Sequence, residues 1–205
     1  MKIIILLYDG FTALDVIGPY EVLARIPDPE IYFTGLSRED YSDTYGLKIH
    51  ADYSIDEITG SDILFIPGGY EVDRILKNST LINWIQTVDK TSKWTVSVCS
   101  GSLLLAEAGL LDNRDCTTHW MRREQLARYN VRVINERYVH DGKIITSAGV
   151  SAGIDMALYL AEQICGEQVA KMIQLGIEYD PKPPHDSGSP EKVPAEILNK
   201  FMNRK

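Results

Sequence analysis

Within Trp94-Thr-Val-Ser-Val-Cys99-Ser-Gly-Ser-Leu-Leu-Leu-Ala106, a β-branched run meets a helical pattern, and Cys99 falls at the junction. A residue at such a bend projects from the carboxyl edge of a sheet, beside the unpaired N–H groups of the following helix. The partial positive charge there favours the thiolate, which is the nucleophile, so the pattern predicts a lowered thiol pKa. The same position equally suits a small buried hydrophobe, the commonest state of a free cysteine. Asp15 follows the first apolar run, Lys2 to Tyr8, and is expected on the same edge. A carboxyl close to a thiol would leave one proton between them and provide an acid and later a base. Its simpler role is to cap a helix opening at Gly18-Pro19.

Four further residues join this pair. Gly68-Gly69 end the run Ile63-Leu-Phe-Ile-Pro67. Paired glycines there either let backbone N–H groups reach a ligand or simply make a tight turn. Ser100 supplies an N–H and a hydroxyl at the elbow, or is an ordinary first helix residue. The N–H groups of Ser100 and Gly69 are the expected donors to a negatively charged intermediate, so bulk at Gly69 is expected to harm turnover more than folding. His119, in Asp115-Cys-Thr-Thr-His119-Trp120, is a second potential acid or base, or a half-buried histidine with its bonds satisfied.

Positioning these groups requires strands that alternate with helices. The apolar runs at 2–8, 63–66 and 94–98 read as strands buried on both faces. Segments 30–36 and 47–54 are further strand candidates. Asp141-Gly142 marks a hairpin between 137–140 and 143–147. Helices are expected from Gly18, over 79–90, 101–109 and 121–129, and from about Gly153 to Ile164 and Gly166 to Tyr179. This alternation predicts an α/β fold, a three-layer sandwich around a mostly parallel sheet, with ligands beyond the strands' carboxyl ends. Its 205 residues suit one domain, 1–205. Within it, 180–205 forms a proline-rich tail and C-terminal arm that wraps the surface or reaches a neighbouring subunit.

The net charge of −8 opposes a phosphate-tracking surface and hence nucleic acid as a partner. The three cysteines, Cys99, Cys116 and Cys165, lack metal-ligand spacing, and their odd number argues against a disulfide framework. The first apolar run is too short to cross a membrane and has no small-residue cleavage site after it. A cytoplasmic protein without a metal or organic cofactor is expected.

Taken together, LYDGFTALDVIGP, IPGG, SVCSG and TTHW resemble the ThiJ/PfpI superfamily, related to class I glutamine amidotransferases. AEAGLLDNRDCTTHW, SAGVSAGIDMAL and LGIEYDPKPPHDSGSP bring the chain nearest to the isonitrile hydratases of that superfamily. The resemblance implies a flavodoxin-like fold, a homodimer, a small-molecule substrate, Cys99 as nucleophile and Asp15 as its acidic partner. It further implies water addition to an isonitrile, giving an N-substituted formamide. Isonitrile hydratases carry threonine where this chain has Ser100. Other branches of the superfamily imply a cysteine-dependent amidase or protease, a glyoxal-type deglycase, or a small-molecule or redox sensor like the N-terminal half of AraC-type regulators.

Overall fold

The computed structural model describes residues 1–203. The chain opens with β1 (Lys2–Leu6), α1 (Ala13–Leu23), β2 (Glu30–Gly35), β3 (Asp40–Ser42), β4 (Lys48–His50) and β5 (Tyr53–Ser54). The middle holds β6 (Ile63–Ile66), α2 (Val72–Ile75), α3 (Ser79–Asp89), β7 (Trp94–Val98) and α4 (Gly101–Glu107). Then follow β8 (Asp115–Cys116), α5 (Arg123–Leu126), β9 (Arg132–Val133), β10 (Tyr138–Asp141), β11 (Ile144–Ser147), α6 (Ala152–Cys165), α7 (Glu167–Gly176) and α8 (Ala195–Met202).

A seven-stranded sheet in the order β10-β11-β7-β6-β1-β2-β5 forms the centre, and all pairings except the β10–β11 hairpin are parallel. Ile3 to Leu7 and Ile63 to Ile66 are wholly buried, as expected of central strands covered on both faces. The order explains why residues distant in sequence meet. Strands β7, β6 and β1 are neighbours, so the bends carrying Cys99 and Gly68 and the first turn of α1 carrying Asp15 lie side by side at the same edge. From β1 the chain turns one way to β2, while β6 and β7 lie on the other side. Such a reversal opens a crevice at the strands' carboxyl ends.

Three local readings are corrected. The first helix starts at Ala13, not Gly18, and runs through Pro19. Asp15 therefore lies inside the first turn and does not cap a helix opening at Pro19. Segment 47–54 divides into β4 and β5: Ala51 N–H bonds Glu39 C=O in the small β3–β4 ribbon, while Asp52 N–H bonds Phe33 C=O in the main sheet. The helix expected over 121–129 shrinks to Arg123–Leu126 behind a 3₁₀ turn at Trp120–Arg122. In the tail, 180–190 has no regular structure, and the arm beyond it contains α8.

Candidate active site

Cys99 has φ +57°, a left-handed conformation that costs a non-glycine residue about 1–2 kcal/mol. Its backbone partners hold it there. The Cys99 N–H is shared between the carbonyls of Ser147 and Ala148, each at 3.1 Å. The Cys99 carbonyl accepts from the hydroxyls of Thr118 (2.9 Å) and Ser102 (3.2 Å). Thr118 is thus a second anchor of the elbow that sequence reasoning passed over, although it stands next to His119.

Asp15 is fully buried on α1. Its Oδ2 accepts the Gly68 N–H at 3.0 Å, whereas Oδ1 has no partner of hydrogen-bond geometry. Burial raises the carboxyl to about 7, against the opposing pull of the Gly68 N–H and the Cys99 thiol. Cys99 itself is 8% exposed. Burial and the Asp15 carboxylate push the thiol well above its ordinary value, while the N–H groups of Ser100 and Val150 and the Ser100 hydroxyl pull it down. The expected lowering by the helix end is therefore outweighed in the resting site. Burial and the Asp15 charge hold the proton on sulfur after Asp15 has lost its own near pH 7, so above that pH thiol and carboxyl share one proton.

Ser100 is buried and ties the elbow to the glycine loop: its hydroxyl accepts the Gly69 N–H at 3.0 Å and reaches the Gly69 carbonyl at 3.2 Å. The expected role of the Gly69 N–H is corrected accordingly, since Ser100 already occupies that donor. A Cβ on Gly69 would lie 2.3 Å from the Gly10 carbonyl oxygen, so bulk there disturbs folding and not turnover alone. A Cβ on Gly68 would lie 2.6 Å from the Ser100 nitrogen and 2.8 Å from Cys99 Cβ. The missing side chain lets the two loops touch. In place of Gly69, the second N–H facing the sulfur belongs to Val150, a β-branched residue at φ +46° just before α6. A valine in that conformation leaves no sequence signature.

His119 makes no hydrogen bond to the thiol. Its Nδ1 accepts the Met121 N–H at 3.3 Å, and its ring sits where a Cβ on Gly149 would be. Burial and the neighbouring Arg122 and Arg123 lower its pKa. It lines a cavity of about 1020 Å³ with Gly149, Val150 and the tail, which contributes Pro181, Pro183 and His185. Cys99 lies behind Val150 and does not line this cavity. Among the described residues, no group of three His, Cys, Asp or Glu side chains is placed to hold a metal ion.

A mostly parallel α/β sandwich with a cysteine at the strand–helix bend, an acid beside it and a glycine loop packed on both defines the structural class. The chain belongs to the DJ-1/PfpI family, whose model matches residues 1–163. It is 33% identical to an isonitrile hydratase of Pseudomonas putida over 204 residues, spanning 100% of this chain and 90% of that protein. A ThiJ/PfpI family protein from Pseudomonas syringae superposes with a TM-score of 0.95 at 31% identity, covering 98% of this chain and 84% of that one. The HTH-type transcriptional regulator CdhR of Pseudomonas aeruginosa is 34% identical over 130 residues, 62% of this chain but only 38% of the regulator.

Proposed function

We propose that the protein hydrates isonitriles through Cys99 and Asp15. The observation that carries this reading is the buried thiol–carboxyl pair, with one carboxylate oxygen unpartnered, in a chain similar along its whole length to an isonitrile hydratase. The pair passes its proton from sulfur to Asp15. The thiolate adds to the terminal isonitrile carbon, and Asp15 returns the proton to that carbon to give a thioimidate. Asp15, again a carboxylate, then takes a proton from water as the water adds to the thioimidate carbon. Collapse breaks the carbon–sulfur bond, places a proton on nitrogen, and releases the formamide and the thiol–carboxyl pair. The N–H groups of Ser100 and Val150 stabilise the sulfur whenever it carries charge.

The position of His119 counts against an amidase or protease, because expelling an amine requires a cysteine and a histidine within reach of each other. Turnover of a simple isonitrile to its formamide, followed by mass spectrometry for wild type, Cys99→Ala and Asp15→Asn, tests the proposal. The expected result is loss of all covalent turnover in the first variant and a fall of about 10²–10⁴-fold in the second. Full activity in either one sinks the assignment.

A further inference from the structure

Tyr8 follows β1 and is among the largest fully buried side chains. Its hydroxyl donates to the Pro67 carbonyl at 3.0 Å. That carbonyl and the Gly68 N–H belong to one peptide unit, and the described chain contains no cis peptide bond. In a trans peptide the C=O and N–H point in opposite directions. Tyr8 therefore grips one end of the plane whose other end donates to Asp15 Oδ2 at 3.0 Å. The Gly68 carbonyl in turn accepts the Thr12 N–H at 3.0 Å, just before the helix that carries Asp15.

We infer that Tyr8 is a positioning residue for Asp15, whose hydroxyl orients and polarises the Pro67–Gly68 peptide against the carboxylate. A donor on the carbonyl draws electron density from the amide and makes its N–H the stronger donor. The titratable groups that face Asp15 are Cys99 from the elbow and Tyr8 from the end of β1, and Tyr70, beyond the glycine loop, feels the charge of Cys99. Burial holds the Tyr8 phenol well above its ordinary pKa, so it keeps its proton and remains a donor throughout an assay.

The inference rests on Asp15 exchanging a proton with Cys99 but not on the isonitrile reading. Its test is accordingly the pH dependence of Cys99 alkylation by iodoacetamide, followed on the Cys99 peptide by mass spectrometry. In wild type the rate rises through about pH 7, where Asp15 becomes able to accept the thiol proton. Tyr8→Phe weakens the Gly68 donor, so the midpoint should move up by about half a pH unit or more. Fluorotyrosine at position 8 is a stronger donor and should move it down. Tyr41→Phe removes the hydroxyl of another buried tyrosine, bonded to Ser37, and should lower stability without moving the midpoint. A midpoint unmoved in Tyr8→Phe, or unmoved by fluorotyrosine if the phenylalanine variant does not fold, overturns the inference and leaves Tyr8 an ordinary core residue. If instead the shifts appear and isonitriles are not turned over, the proposed reaction fails and the role of Tyr8 stands.

Discussion

In the proposed reaction, Asp15 would combine proton transfer with a cost to stability. Its pKa in the fold is about 7, above its ordinary 3.8, so folding favours the protonated form. A carboxyl shifted in that direction makes its full contribution to stability below about pH 4, and the contribution is lost as pH rises through about 7. Above pH 7 the folded protein bears a buried charge costing a few kcal/mol. Asp15→Asn should raise Tm at pH 8 more than at pH 5, as thermal unfolding at the two pH values would show, while turnover falls by the about 10²–10⁴-fold expected of a lost acid and base. The same titration gives the wild-type rate profile its sign. The active one-proton pair forms as pH climbs through about 7, so kcat/KM should ascend there. A pH series in which kcat/KM falls over that interval contradicts this. The residue types were legible: a thiol at a bend and an acid after an apolar run can be recognised without coordinates. The thiol's own shift was not, because desolvation and the Asp15 charge depend on packing, and together they outweigh the helix end.

At the scale of elements, the site is a junction of the elbow and the glycine loop. Ser100 bridges both backbone groups of Gly69, and Gly68 has no room for a methyl. Ser100→Ala leaves the buried Gly69 N–H without its partner, at a cost of about 1–3 kcal/mol. Ser100→Thr keeps the hydroxyl and should retain most activity, with Tm and kcat/KM as the measurements. Gly68→Ala should harm both folding and turnover, because the new Cβ meets Cys99 and the backbone of Ser100. Wild-type values for both would mean the loops do not pack as described. The central strands were legible from their unbroken apolar runs. The start of α1 was not: Pro19 suggests a helix beginning nearby, yet this helix accommodates it in its interior. Gly18 within that helix is explained by contact across the fold, since a Cβ there would lie 2.9 Å from Ile154 Cγ1.

Strand order emerges only at the scale of the whole molecule, because nothing local in β6 announces that it pairs with β1 on one side and β7 on the other. The path of the tail is equally long-range. The sequence left open whether 180–190 lines a pocket or reaches another subunit, and here it forms a wall of the cavity beside the elbow. Its attachments are polar and shallow: Tyr179 OH to Asp155 at 2.8 Å, and Glu191 held by Arg123 at 3.2 Å and Asn135 at 3.0 Å. The Glu191 backbone N–H first, then Ser189, Asn135 and Arg123, hold the Glu191 carboxyl down at about 2. Beyond them, the Phe201 ring lies 5.8 Å from Trp120, the neighbour of His119. Exposed ion pairs contribute little individually, so Glu191→Gln should leave Tm almost unchanged. Truncation after Asp180 removes the wall while leaving the central sheet and the Cys99–Asp15 pair in place. If bulky isonitriles extend into this cavity, their KM should rise several-fold, while kcat for a methyl-sized isonitrile stays near wild type. Parallel loss of both rates would instead tie the tail to the integrity of the elbow. Unchanged KM across the size series would mean that substrates approach Cys99 from another side.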